Sequence, residues 1–441
     1  MSVHLARMKT AAEKIPPGLG PWLAAVPFSL RLGPAYSRAR RDLRNVLQMG
    51  PGELREEVCA RIAALLPVAR KSPFWRERLP ERLPDFDAVA ALPLTTKDDL
   101  RAVAIEQRSV QTSGCLRINT GGTSGSPLSF YIDRQAFARE WAHMHYIWQK
   151  AGYLQTDIKL TLRGRIPGDQ PLRYNAVHNE YVLHPSFPAD RLAAAVEKIA
   201  SRIRFIHGYP SLIYSFLKYC DECRPEVIGR LRKSLKGVLL GSEFPAPVYR
   251  NFIDDVTGVP SVSWYGHSEM ALLALEQERG VYVPLQSYGY AEAVPASTAG
   301  EYRLVGTSYF NTASPFIRYD TGDLVDAQVE DGLLKSFRIT SGRVGDFVQD
   351  RHGCAISLTA LVFGRHHALF DRAAHVQIRQ TAPGCVDLVV TPGPGQRMTP
   401  ENVLAAFDSS GVDLDFRALV VDSPVRAPSG KIPLLIREWQ T

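Results

Sequence analysis

Thr120, Gly121, Gly122, Thr123, Ser124 and Gly125 stand together, with an apolar, strand-like stretch at 128–131 behind them. Such a run offers free backbone N–H groups and hydroxyls around an anion. Glycine lets the backbone approach a phosphate closely and adopt positive φ. It is not a Walker loop, because Ser126 and Pro127 occupy the places of its Lys and Ser/Thr. Alone, the run also fits a plain Ser/Gly turn. In isolation Asp323 and Arg343 read as ordinary surface charges, Glu269 as a solvated carboxylate at a helix start, and Lys431 lies on a turn near the C-terminus. His143 and His145 are two apart and do not meet on one helical face, so they do not read as a metal site. Cys220 and Cys223 form a CxxC with no second pair, and read as two packed thiols on a helix.

The elements that position these residues show in the periodicity. Residues 1–110 read as helical, with Leu54, Val58, Ile62, Leu65 and Leu66 on one apolar face, and 134–151 read as another helix. From 157 strands and helices alternate. Strands are expected at 158–162, 205–210, 237–241 and 261–266, and helices at 191–202, 211–220 and 251–257. That alternation predicts an α/β layer with a largely parallel sheet. After 281 short β segments follow at 281–285, 300–306 and 323–327. A smaller β/α unit is expected from 343, with a hairpin at 343–353, a helix at 357–364, strands near 375–380 and 386–391, and a helix at 400–408. The fold class is therefore α/β: a large N-terminal domain (1–342) with mixed or parallel sheets flanked by helices and a β-rich subdomain, and a small C-terminal α+β domain (343–441).

With 52 Lys+Arg against 45 Asp+Glu, the net charge is +7 over 441 residues. That excludes little beyond strongly charged interaction tails, and solubility alone accounts for it. The densest basic run, Arg38, Arg40, Arg41 and Arg44, lacks neighbouring stacked aromatics, so nucleic acid is not an expected partner. The 45% hydrophobic and 22% charged fractions exclude a fibrous or disordered chain. Six scattered cysteines fit a reducing compartment. No signal peptide is visible, and the apolar stretch 18–32 is too short to span a bilayer. A cytoplasmic protein without a transmembrane segment is expected, with that stretch docked on its own domain.

The motifs follow one order: 92–100 (Leu92 to Leu100), Thr120 to Pro127, Gly208 to Ser211, Gly241 to Glu243, Tyr265 to Glu269, Arg318 to Asp323, Gly342 to Asp346 and Pro428 to Lys431. In this order the chain resembles the adenylate-forming enzymes, specifically the phenylacetate–CoA ligase branch and its CapK-type relatives. The resemblance implies ATP and Mg²⁺ as cofactors and a carboxylic acid as substrate. It implies that Thr120, Gly121, Gly122, Thr123, Ser124 and Gly125 hold the departing phosphates. It places Ser242 and Glu243, together with Tyr265, Gly266 and Ser268, around the nucleotide, with Tyr265 at the adenine and Ser268 at the α-phosphate. Glu269 would bind magnesium, as suits a hard carboxylate oxygen. Asp323 would accept from the ribose hydroxyls, which its two oxygens match. Arg343 would contact ribose or phosphate, and Lys431 would stabilise charge on the carboxylate and α-phosphate. The acyl pocket is implied near His207, Gly208, Tyr209, Gly241, Trp264 and His267.

Three positions depart from the family pattern. Gly121 replaces a serine, Ser126 the loop's common lysine, and Gly345 the hinge carboxylate, with Asp346 beside it. These bear on thioester formation more than on adenylation. The leading expectation is acid activation followed by acyl transfer to CoA as co-substrate. Amide or ester formation on an amine, amino acid or sugar is the alternative, then AMP transfer alone, then a degenerate scaffold. The sequence leaves a homodimer open.

Overall fold

The computed structural model describes residues 20–119, 128–163, 170–184, 187–296, 300–341, 347–353, 355–363, 367–393, 395–409, 412–426 and 432–436. Thr120 to Ser126, Arg343, Gly345 and Lys431 therefore lie outside the described residues.

Short buried runs make the central strands. β3 (Lys159–Leu162), β5 (Glu180–Leu183), β6 (Phe205–Gly208) and β7 (Gly237–Leu240) are buried at every position. Strands covered on both faces read as continuous apolar runs, as parallel sheets require. With β8 (Ser261–Gly266) they lie in the order β8-β7-β6-β3-β5, all parallel. β4 (Leu172–Asn175) closes that edge antiparallel. At β8 the sheet turns antiparallel and continues through β9 (Leu273–Glu278), β10 (Val281–Pro284), β14 (Leu333–Ser341), β13 (Tyr319–Glu330), β12 (Tyr302–Ser308) and β11 (Gly289–Pro295). β1 (Leu116–Asn119) and β2 (Ser129–Ile132) pair separately on either side of 120–127.

Helices cover both faces. α1 (Pro34–Val46), α2 (Pro51–Ala69) and α3 (Ala136–Lys150) precede the sheet; α4 (Ala189–Glu197), α5 (Pro210–Cys223), α6 (Pro225–Arg232) and α7 (Pro247–Thr257) alternate with its strands. Ile206, Val238 and Leu240 pack with α4 to α7, whereas Phe205 and Leu239 face Leu43 of α1 and Met144, Ile147 and Trp148 of α3. Proline at the first turn starts α5, α6 and α7 without losing a hydrogen bond. Gly258, at φ 69, ends α7 in the left-handed conformation that glycine supplies. The helix expected at 191–202 stops at Glu197 and gives way to a 3₁₀ turn at Ala200–Arg202. On α5 Cys220 is buried but Cys223 is exposed, so only one of the two thiols is packed.

The segment following residue 19 docks as expected at one point: Phe28 stacks on His145, with ring centroids 3.8 Å apart. Among the described residues no helix is long and apolar enough to cross a membrane. Beyond a small pair, β15 (Phe347–Gln349) with β16 (Ala355–Ser357), residues 348–435 form a separate core around β17 (Ala373–Ala382), β18 (Cys385–Pro392) and β19 (Asp415–Val420). This unit meets α5 through Ser215, whose Oγ lies 2.6 Å from His375 Nε2, and through Lys218, which donates to the Phe370 and Ala373 carbonyls.

One buried ion pair ties the early chain to the late one. Arg318 pairs with Glu292 at 3.0 Å and also donates to the Ala90 and Leu92 carbonyls. Thr95 bridges the same strand, donating to the Arg318 carbonyl and accepting from Asp320 N, both at 2.9 Å. The 92–100 motif is thus a clamp that holds the start of β13. Removing one partner of a buried pair leaves the other charge uncompensated, so Arg318→Met is expected to cost about 3–5 kcal/mol. Adding Glu292→Leu to that variant should restore much of the loss. Urea unfolding reads both; a loss below about 1 kcal/mol for the single variant would contradict the clamp.

Candidate functional site

The topology places three motifs side by side at the carboxyl ends of β6, β7 and β8, where open α/β sheets bind ligands. From β6 come His207, Gly208 and Tyr209; after β7 come Gly241, Ser242 and Glu243; from β8 come Trp264, Tyr265 and Gly266, followed by His267, Ser268 and Glu269.

Two glycines let these segments approach. A Cβ on Gly208, at φ 150, would lie 1.8 Å from the Leu162 carbonyl oxygen. A Cβ on Gly241 would lie 2.1 Å from the Trp264 ring. The indole therefore rests against the Gly241 backbone, and His207 stacks beside it at 5.9 Å between centroids. Trp148 meets both rings edge-on. Behind this wall Thr161 donates to Glu180 at 2.7 Å, and Arg163 approaches Glu180 at 3.5 Å. Burial opposes the Glu180 charge, but Lys159, His178 and Arg163 outweigh it and hold the carboxyl down to about 2. Burial, reinforced by Arg163, pushes His207 down to about 3, so its imidazole is neutral.

Non-glycine residues with positive φ cluster at the motifs: Ser242 at 67°, Met270 at 53° and Arg318 at 43°. Such conformations cost energy and persist where surrounding structure imposes them.

The carboxylates acquire partners from distant chain segments. Tyr265 donates to Asp323 Oδ2 across 58 residues. Glu269 is 4% exposed and accepts from the Tyr319 hydroxyl at 2.9 Å. His267 Nδ1 lies 3.2 Å from the other Glu269 oxygen, which makes it the donor. That leaves His267 Nε2 buried without a hydrogen-bond partner among the described residues. Glu243 accepts from Ser211 N at 3.2 Å and Ser211 Oγ at 2.7 Å, at the start of α5. Its visible work is helix capping, a role the sequence did not disclose. Gly266 and Ser268 are exposed at the rim, and Tyr209 starts α5 with its N–H on the Leu162 carbonyl.

The structure thus brings together His207, Gly208, Gly241, Trp264, Tyr265, His267, Glu269 and Asp323. Tyr319 went unread in the sequence, although its place beside Arg318 in a motif was the available signal.

The TM-score is 0.65 between this chain and a solved 2-hydroxyisobutyryl-CoA ligase in its postadenylation state with R3-HIB-AMP, at 18% identity over 88% of this chain and 90% of that one. By fold, this chain is like that ligase. Against that ligase in its thioesterification state, with 2-HIB-AMP and CoA, the score is 0.51. The GH3.15 acyl acid amido synthetase is similar in fold at a TM-score of 0.56 and 13% identity, over 84% of this chain and 86% of that one. Protein CapK of Staphylococcus aureus is 24% identical over 275 residues, 59% of this chain. The alignment spans 60% of the length of CapK. No family model matches the chain. The resemblance read from the motif order and the α/β fold class both hold.

Proposed function

We propose that this protein is an AMP-forming ligase that activates a carboxylic acid. A carboxylate oxygen attacks the α-phosphorus of ATP, the bond to pyrophosphate breaks, and an acyl adenylate forms. The CoA sulfur then attacks the acyl carbon; the bond from that carbon to the AMP oxygen breaks, and the thiol proton passes to water. The observation that carries this reading is the joining of Tyr265 to Asp323, with Glu269 between His267 and Tyr319, at the ends of neighbouring parallel strands.

In this reading Tyr265 and Asp323 hold adenine and ribose, and Ser268 meets the α-phosphate. Thr120 to Gly125 surround the departing phosphates, and Arg343 and Lys431 supply positive charge. Glu269 fits a magnesium ion, since Mg²⁺ characteristically takes one or two carboxylates plus substrate phosphates. The ion neutralises phosphate charge when bound. Residues 343–441 act as a lid that swings between the half-reactions. A second reading replaces CoA by an amine acceptor; likeness to an amido synthetase favours it.

Pyrophosphate release with ATP and Mg²⁺ across aromatic, fatty, hydroxy, amino and uronic acids, with and without CoA, tests the proposal. Release with one acid class is expected, with CoA raising AMP formation. Release of AMP only with an amine would select the second reading. Silence, with no ATP-dependent thermal stabilisation, would leave a scaffold.

A further inference from the structure

A cavity of about 20 Å³ lies between α3, the turn after Glu269 and the segment leaving β12. Glu140, Tyr288, Ser308, Asn311, Met270 and Ala136 border it. Met270 follows Glu269 directly, and its N–H returns to the His267 carbonyl at 3.1 Å, so the cavity abuts the carboxylate cluster described above.

Two polar groups on its wall lack full partners. Asn311 is 2% exposed, and its Oδ1 accepts from Ser314 N at 3.3 Å, which fixes the amide orientation. Its Nδ2 is buried with no hydrogen bond among the described residues. Glu140 accepts from the Tyr288 hydroxyl through Oε2; Oε1 has no partner among the described residues. Burial pushes the Glu140 carboxyl above the ordinary carboxylate range, against the pull of Tyr288 and His267. A buried donor left unpaired costs roughly 1–3 kcal/mol. The wall therefore presents one acceptor and one donor to a space large enough for a single water-sized group, which needs roughly 10–15 Å³.

We infer that the acid activated here is a hydroxy acid whose hydroxyl sits between Glu140 and Asn311. A hydroxyl satisfies both groups, donating to Glu140 Oε1 and accepting from Asn311 Nδ2. An ammonium only donates, so it would set N–H against the Asn311 N–H. A methyl would leave both unpaired. This inference rests on the acid-activating reading and names the substrate class within it. Glu140 and Asn311 are specificity residues in this scheme, acting on a group away from the reacting carboxylate.

The test is acid-dependent ATP–pyrophosphate exchange by the full chain, with 2- and 3-hydroxy acids, the same acids lacking the hydroxyl, and the amino acids of matching skeleton. A site built to bond a substrate hydroxyl discriminates strongly against its absence, so the hydroxy acid should lead by at least about 100-fold in kcat/KM. Glu140→Gln and Asn311→Asp, both isosteric, should each cut that ratio about 10-fold or more, mainly through KM for the hydroxy acid. Exchange with no hydroxyl preference would overturn the inference and leave acid activation standing. Equal loss for hydroxy and deoxy acids in the variants, with lowered thermal stability, would also overturn it, as the mark of a cavity that holds only structural water. Silence with every acid would remove the acid-activating reading and this inference together.

Discussion

Lys431→Ala should lower acid-dependent pyrophosphate exchange by about 10²–10³-fold, the range found when one preorganised electrostatic donor is removed from a reacting oxyanion. In the proposed reaction, negative charge gathers where the carboxylate meets the α-phosphate. A compact ammonium on a flexible stem can enter there and leave again. Only adenylation uses it in this scheme, so transfer from a preformed acyl adenylate should be much less affected. ATP-induced thermal stabilisation should survive, because the nucleotide contacts assigned to Tyr265 and Asp323 lie elsewhere. Lys431→Arg should rescue poorly, since a planar fork replaces a point charge. Near-normal exchange in the alanine variant would remove Lys431 from the mechanism.

The roles proposed for Lys431, Tyr265, Asp323 and Glu269 all come from the motif order, and contacts bring Tyr265 to Asp323 and Glu269 to His267 and Tyr319. The difference between motif and contact shows what was legible in the sequence. β3, β6 and β7 were readable because strands buried on both faces are short runs between helices, and β8 because it ends in a local motif. The β4 and β5 pair was missed: Arg173 and Asn175 break the pattern on an edge strand, and Glu180 is charged at a buried position. β9, β11, β14 and β19 were also missed, because charged residues interrupt their apolar pattern: Glu276 and Glu292 are buried in ion pairs with Arg250 and Arg318, and Arg338 and Arg417 lie on β14 and β19. Site residues at strand ends were legible because their motifs are local. Their partners were not: Tyr319 reaches Glu269 across 50 residues, and Tyr288 reaches Glu140 across 148. Such pairs depend on sheet order, which local patterning does not encode. His207, which the resemblance places near the acyl pocket, is buried against Trp148 and Trp264, so it is a packed imidazole and part of the wall at once.

Packed imidazoles also make this protein acid-sensitive. His143, His145, His207 and His375 are each under a tenth exposed. Burial pushes His143 down to about 4, and His207 and His375 to about 3. His145 is likewise well below its ordinary value, with burial first and Lys159 next among the causes. Each unfolded imidazole titrates near 6.5. Above that pH both states are neutral and the stability is fully present. As the pH falls, the unfolded chain binds protons that the folded chain refuses, so stability drops by up to about 1.4 kcal/mol per pH unit for each histidine until the folded value is reached. Glu180, held down to about 2, enters later, because its contribution starts to fall only below its ordinary 4.5. From pH 6.5 to 5 the histidines therefore lower stability, while Glu140, Glu222 and Glu292, whose carboxyls burial raises, bind protons first in the folded chain and oppose part of the loss. Urea midpoints across that interval should decline with a net slope below four protons. His143 can be separated from the rest. Its Nδ1–H donates to the Arg139 carbonyl at 2.9 Å, and its Nε2 accepts from Ser287 at 3.0 Å. Glutamine can supply one donor and one acceptor there without titrating, so His143→Gln should remove about one proton from the slope. A stability that stays flat from pH 6.5 to 5 would mean that these imidazoles protonate in the folded chain, and that the aromatic wall beside the site admits water.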